Sequence, residues 1–484
     1  MNILQNLEPK NVFRYFEEIS QIPRGSGNEK VISDYLVNVA KKLNLEVIQD
    51  EALNVIIKKS GTNGYENSNT VILQGHMDMV CEKNKGTNHD FAKDPLKLRI
   101  IDDMVYATDT TLGSDNGIAV AYALAILDSA DIPHPPLEVL ITTDEETGMS
   151  GAMAVSKEHI KGKILLNLDN EEEGHLLVSC AGGIRSRHIL DVELEEANTY
   201  NSFLNIAVRG LKGGHSGMEI NKERGNSNKI MGRILKSLSS NIDFRLVSLN
   251  GGSKNNAIPR EADALVAIKA DDIEKAKDIV IKWNDILLNE LKTQDPGVNI
   301  SISESNEVIE KVFTKESTDK AINLLYLIPN GINTNSLEID GLVESSTNLG
   351  VVTTNKDKIE FDSAIRSSVA SLKDEIVLRS KTVADIIGAK FKTTAGYPEW
   401  QYDSDSKVRE ICQDVYKRMY GKDAKIVAIH AGVECGLFNE KLGKLDMISF
   451  GPDLYDVHTP QEHMSIKSVK NVWEYLLEVL KELK

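Results

Sequence analysis

Two textures alternate along the chain. Short runs of β-branched and aliphatic residues end in a charged or imidazole residue, and longer amphipathic runs lie between them. Thr70-Val71-Ile72-Leu73-Gln74-Gly75-His76-Met77-Asp78 reads as a buried strand that presents His76 and Asp78 at its C-terminal edge. Residues two apart in an extended chain point the same way, so imidazole and carboxylate emerge side by side, where open α/β sheets place ligands. Leu137 to Thr143 is a second such strand and runs into Asp144-Glu145-Glu146. Lys163 to Leu168 is a third and ends in Asp169, and Met447 to Pro452 leads into a loop carrying His458. Leu112-Gly113-Ser114-Asp115-Asn116-Gly117 precedes the apolar run 118–127, which puts Asp115 at the start of a largely buried helix. Chance accounts for one such ending but not for five.

The same patterning predicts the domains. Residues 10–22 and 29–43 read as amphipathic helices, the second introduced by Ser26-Gly27-Asn28-Glu29 as a capping box. Residues 44–60 hold two strands, and 82–111 form an excursion with two short ones. From 118 to 183 the order is helix, strand, helix, strand, closed by Gly182-Gly183 as a breaker. Beyond about 186 half-exposed strands take over: 203–210, 244–250, 263–270 and 298–304, with helices 229–238 and 272–293. A similar order recurs as helix 315–328, strands 337–339, 347–354 and 358–366, and helix 371–387. The first texture resumes near Tyr397, with helices 404–420 and 467–483 around strands 425–429 and 446–450. The expectation is an α/β host domain, 1–186 and 393–484, with a mixed, mostly parallel sheet flanked by helices. An α+β domain of two related halves, 187–392, is inserted into it. Such an insertion keeps the host's ends close and opens a cleft, a favoured place for a site.

Length and charge narrow the partners. A chain of 484 residues suits two or three domains, and 41% hydrophobic residues suit a globular protein. A net charge of −17 argues against nucleic acid or anionic membranes, and requires a local cationic clamp for any anionic group that binds. No apolar run approaches the ~18 residues that span a bilayer. Met1 to Pro9 lacks the cationic start and apolar core of a signal peptide. The four cysteines, Cys81, Cys180, Cys412 and Cys435, are scattered, which suits reduced thiols in the cytoplasm. Burial as small apolar groups is expected for Cys81 and Cys435.

Collected, the strand-end candidates are His76, Asp115, Glu146, Asp169 and His458. Two imidazoles and three carboxylates suit zinc or a neighbouring transition metal, whereas all-oxygen sets suit magnesium or calcium. A carboxylate can bridge, and five ligands with one shared make a two-metal site with ions ~3.5–4 Å apart. Asp115 is the bridging choice, leaving His76 and Asp169 for one metal and Glu146 and His458 for the other. Asp78 stands behind the His76 imidazole to fix its tautomer. Glu145-Glu146 can divide the labour, one ligating and the other passing a proton from water to a leaving amine. The residues alone leave open which does which.

Several longer stretches go further. Ile22-Pro23-Arg24, Gly75-His76-Met77-Asp78-Met79-Val80, Thr108 to Gly117, Gly213-Gly214-His215-Ser216-Gly217 and His430-Ala431-Gly432-Val433-Glu434-Cys435-Gly436 resemble the M20 metallopeptidase family. Within it they resemble the aminoacyl-histidine (Xaa-His) dipeptidase branch, also described as cytosolic non-specific dipeptidases. The resemblance implies a catalytic host domain under a lid, and two zinc ions per chain with cobalt or manganese as substitutes. It also implies hydrolysis of unblocked dipeptides, Xaa-His favoured. It makes Glu145 the general base and Glu146 the ligand, and it implies a cis peptide between Asp115 and Asn116.

The insertion supplies the remaining candidates. His215, in its glycine-flanked loop, reads as a donor to a tetrahedral oxyanion, help often worth ~3 kcal/mol, and the resemblance favours that role. Arg366 has the fork for the carboxylate of a short peptide, with Asn256 as its helper. Glu434 suits a substrate amine, and Gly432 suits close approach of the backbone. The doubled insertion suggests that His215 and Arg366 come from its two halves to one cleft, so that one chain completes its own site as a monomer or within a homodimer. The rival readings are an N-acyl amino-acid deacylase with the same metal centre and a catalytically silent peptide-binding protein.

Overall fold

Strand Val71–His76 is buried at every position, and the first unit of the structure is built outward from it. The computed structural model describes residues 3–198, 200–307 and 309–484, so Met1 and Asn2 of the N-terminal stretch lie outside the described residues. The chain divides into two compact units, Met1–Ser179 with Tyr402–Ala428 and Val433–Lys484, and Cys180–Gln401 with Ile429–Gly432.

The first unit carries a mixed sheet. Its order is Glu46–Gln49, Val55–Lys59, Leu137–Thr142, Val71–His76, Ile164–Asn167, Asp446–Ser449, His175–Cys180 and Lys425–Ile429. The strands from Leu137–Thr142 to Asp446–Ser449 run parallel, and their outer neighbours pair antiparallel. Parallel strands covered on both faces read as continuous apolar runs, as these do. Their C-terminal ends share one edge, which gathers His76, the 144–146 turn, Asp169 and the chain beyond Ser449. Helix Ser114–Asp128 is buried along nearly its whole length, and helix Lys10–Ser20 packs Val12, Phe13, Phe16 and Ile19 inward. The 98–107 excursion forms a four-stranded sheet with Leu454–Tyr455 and His463–Ser465, the two strands that bracket His458.

The second unit is built on a nine-stranded sheet with nested halves. The inner half runs strand Ser202–Arg209, helix Ser227–Ser239, strands Phe244–Gly251 and Ala262–Ile268, helix Ile273–Glu290, strand Asn299–Glu304. The outer half runs strand Gly182–Asp191, helix Lys315–Leu327, strands Val343–Asn355 and Lys358–Ser367, helix Ala370–Ile387, strand Lys390–Tyr397. Both halves place their strands in the order second, third, first, fourth, and they join where Gly251 pairs with Val352. The alternation in Ser202–Arg209 buries Leu204, Ile206 and Val208, which share a core with Leu235 and Phe361.

Some local expectations are corrected. Ser26 and Glu29 make no capping box, since helix Lys30–Lys42 has no side-chain cap; Ser26 Oγ donates to Asp78 Oδ2 at 2.8 Å instead. Gly182-Gly183 does not break the chain but opens strand Gly182–Asp191, where a Cβ would strike Glu399 or Tyr397. The strand expected at 337–339 is displaced to Gly331–Asn335, and Leu337 stands fully exposed. Cys81 is exposed rather than buried, whereas Cys435 is buried. Among the described residues no helix is long and apolar enough to cross a membrane.

Candidate metal centre and active site

The five strand-end candidates converge in the first unit. His76 Nε2 lies 3.1 Å from Asp115 Oδ1 and 3.4 Å from Asp169 Oδ1. His458 Nε2 lies 3.1 Å from Asp115 Oδ2 and 3.0 Å from Glu146 Oε2. The two oxygens of Asp115 thus face different imidazoles, the geometry of a bridging carboxylate. Two groups of ligand atoms, His76–Asp115–Asp169 and Asp115–Glu146–His458, each fall within 4.8 Å; His76, Glu145 and Glu146 form a third. His458 reaches this place from a left-handed backbone conformation, φ 62°, a strained choice for a residue with a Cβ that functional sites tolerate. The Asp115–Asn116 peptide is cis.

The electrostatics point to missing positive charge. Burial raises Glu146 and Asp169 above the usual carboxylate range, and the charge of Asp115 adds to it in both. Hydrogen bonding to Asp115 and Glu146 pushes His458 up to about 11. Burial works against protonation of His76, but Asp169 and Asp115 outweigh it and hold it well above the ordinary imidazole value. The imidazoles are thus drawn toward their protonated forms by three crowded carboxylates, and the buried Asp169 Oδ1 has no hydrogen-bond donor among the described residues. Divalent cations fit this donor set.

Asp78 organises the surroundings. Its Oδ1 lies 3.3 Å from His76 Nδ1 and accepts the Glu145 amide at 3.1 Å, while Oδ2 accepts Ser26 Oγ and the Glu146 amide. One buried carboxylate thus aims the imidazole and holds the glutamate turn. Burial, with the charges of Asp169, Glu434 and Asp115, pushes Glu145 up to about 9. Glu434 is also buried; Gln74 Nε2 and Thr142 Oγ1 donate to its Oε2 at 2.6 and 2.9 Å, and Oε1 has no partner among the described residues. Sequence reasoning missed Ser26 because its partner is 52 residues away.

The second unit gathers a separate cluster. His215 comes from the inner half and Arg366 from the outer, yet a Cβ on Gly217 would lie 3.2 Å from both side chains. His215 Nδ1 accepts the amides of Met218 at 3.0 Å and Gly217 at 3.3 Å, which leaves the proton on Nε2. Burial and the neighbouring Arg366 lower its proton affinity below that of an ordinary imidazole. Asn256 is exposed, and its carbonyl accepts the Ser216 amide. Burial pushes His430 down to about 3, and its Nε2 meets Ser346 Oγ at 2.7 Å. Gly432 lies against Tyr397, whose ring a Cβ there would strike. Tyr397 escaped sequence reading because a lone tyrosine at a strand end carries no motif.

Comparison with known proteins shows the family and the fold. The model described as "Peptidase family M20/M25/M40" matches residues 72–482. The cytosol non-specific dipeptidase of Escherichia coli K12 is 40% identical over 484 residues, 100% of this chain and 99% of that protein. The crystal structure of aminoacylhistidine dipeptidase from Vibrio alginolyticus superposes with a TM-score of 0.95 at 38% identity, over 99% of this chain and 98% of that one. An aminopeptidase, PepT, from Bacillus cereus shares the fold at a TM-score of 0.60 and 15% identity, over 99% of each chain.

Proposed function

The chain belongs to peptidase family M20/M25/M40, and on that footing we propose that it is a metal-dependent dipeptidase acting on unblocked dipeptides, Xaa-His among them. The cofactor in this reading is two zinc ions per chain, with cobalt or manganese as substitutes. His76 and Asp169 would hold one, Glu146 and His458 the other, and Asp115 would contribute to both. The observation that carries the reading is the placing of the Asp115 oxygens, each 3.1 Å from a different imidazole. Bound there, such cations supply an activated water and polarise the scissile carbonyl.

The chain's own residues do the rest. Glu145 takes the proton of the attacking water and returns it to the leaving amine nitrogen. His215, whose Nδ1 accepts two amides and whose Nε2 is left to donate, gives a hydrogen bond to the oxyanion. Arg366, helped by Asn256, holds the peptide's C-terminal carboxylate. The unpartnered Glu434 Oε1 takes the free α-amine. Gly432, besides seating Tyr397, lets the substrate backbone approach. The reading includes a cytoplasmic location and a site completed by one chain, as a monomer or within a homodimer.

The deciding experiment offers the protein an unblocked dipeptide and the matching N-acetyl amino acid, with added zinc, manganese or cobalt. Cleavage of the dipeptide alone is expected. Cleavage of the acetyl compound alone would make the protein a deacylase, and binding without turnover in every metal would make it a silent peptide binder.

A further inference from the structure

Ile22-Pro23-Arg24 and Glu462 supply no ligand, yet Arg24 and Glu462 each keep only 2% of their exposure. Burying a charge is costly unless partners satisfy it, and the partners here are specific. Glu462 lies four residues beyond His458, and one short segment fills its carboxylate. Oε2 accepts the amides of Leu112 at 2.8 Å and Gly113 at 3.0 Å; Oε1 accepts the amide of Ser114 at 2.7 Å and its hydroxyl at 2.6 Å. The next residue is Asp115. An anion is well placed at a helix start, where free amides converge, and this one anchors the turn whose carboxylate faces both imidazoles.

Arg24 works from the other side. Nη1 donates to the carbonyls of Met77 at 3.0 Å and Asp78 at 3.3 Å, and Nη2 donates to the carbonyl of Gly113. One guanidinium thus ties the strand end carrying His76 and Asp78 to the turn carrying Asp115. Its seat is lined by glycine, since a Cβ on Gly113 or Gly117 would come within 2.6 Å of Nη2. Gly113 has φ 65°, so the turn needs glycine for its backbone as well. Glu462 exerts the strongest charge attraction on Arg24.

We propose that Arg24 and Glu462 are positioning residues that lock the His76, Asp115 and His458 segments in register before any cation arrives, and so set metal affinity. The inference rests on reading the five residues as a metal centre. A purely structural role would look different, and the chain contains a control. Glu138 is equally buried and accepts the amides of Lys161 and Gly162, but it joins strands Leu137–Thr142 and Ile164–Asn167 at the ends away from the candidate ligands Glu146 and Asp169.

The test uses the full-length chain stripped of metal and titrated with Co2+, following visible absorption and bound cations per chain. Glu462→Gln and Arg24→Lys are expected to weaken Co2+ binding by about 10- to 100-fold and to alter the spectrum. The same variants should lower kcat with KM for a dipeptide nearly unchanged, and Glu462→Asp should recover part of the affinity. Glu138→Gln should lower the unfolding midpoint but bind Co2+ as the wild type does. Wild-type affinity and spectrum in both Glu462→Gln and Arg24→Lys would overturn the proposal, as would equal weakening by Glu138→Gln. Should Glu462→Gln fail to fold, Arg24→Lys, which keeps the charge and loses the fork, carries the comparison. The Co2+ readout needs no turnover, so a wild type that binds Co2+ but cleaves no dipeptide would refute the function and leave this inference standing.

Discussion

Arg366 Nη1 donates to Tyr397 Oη at 2.7 Å, although sequence patterning singled out only the arginine. The tyrosine ring packs so tightly that a Cβ on Gly183 would come within 2.5 Å of it and one on Gly432 within 2.4 Å. The guanidinium is therefore held by a phenol that is itself wedged between glycines, and its buried Nε has no partner among the described residues. Tyr397→Phe removes one hydrogen bond and keeps the ring. It should raise KM for a dipeptide about fivefold, the worth of ~1 kcal/mol, with kcat within about twofold. A KM equal to the wild type's would separate Arg366 from substrate binding or Tyr397 from Arg366.

Glu145→Ala removes the proposed proton shuttle and leaves the five candidate ligands intact. Rate should fall by about 10²- to 10⁴-fold while metal content per chain stays at the wild-type level. Metal analysis and steady-state kinetics on one preparation check both halves. Loss of a cation would make Glu145 a ligand, which its place in the group with His76 and Glu146 leaves geometrically open.

His215→Ala should lower kcat by about 10²- to 10³-fold, as loss of an oxyanion donor does. The bonds from Met218 and Gly217 to Nδ1 preset the donor on Nε2, so the loss should fall on kcat more than on KM. An unchanged kcat removes His215 from the reaction.

Prolonged dialysis against a chelator should abolish activity, and zinc, cobalt or manganese should restore it. Imidazoles coordinate in their neutral form, so binding should release protons, measurable in a weakly buffered solution. Full activity in metal-free protein would contradict the assignment of the site.

His430 links stability to pH. Burial, with Arg366 and His215 nearby, lowers it from 6.5 to about 3 in the folded chain. Above 6.5 neither state takes the proton and its contribution is fully present. Between 6.5 and about 3 only the unfolded state takes it, so stability falls as pH falls, by up to about 1.4 kcal/mol per unit. Urea midpoints measured from pH 7.5 to 5.5 should fall more steeply for the wild type than for His430→Asn. Parallel slopes would show that His430 titrates normally.

The strand-end positions of the candidate residues were legible in the sequence, because buried parallel strands write continuous apolar runs and a strand end is a local signal. So were most helices and the recurrence inside 187–392, since periodicity needs no knowledge of distant partners. The tertiary structure alone decided who meets whom. Asp115 stands between imidazoles 39 residues before it and 343 after it, and no local pattern carries such pairings. Ser26 shows the reason: its spacing to Glu29 suggests a helix cap, but a buried carboxylate at Asp78 needs donors more than a helix end open to water does. Strand 337–339 failed similarly, because the neighbour Val343–Asn355 pairs with Gly331–Asn335 and leaves Leu337 in solvent. Local pattern determines which elements form and which residues they offer; the matching of buried donors to buried acceptors across the chain decides where those residues go.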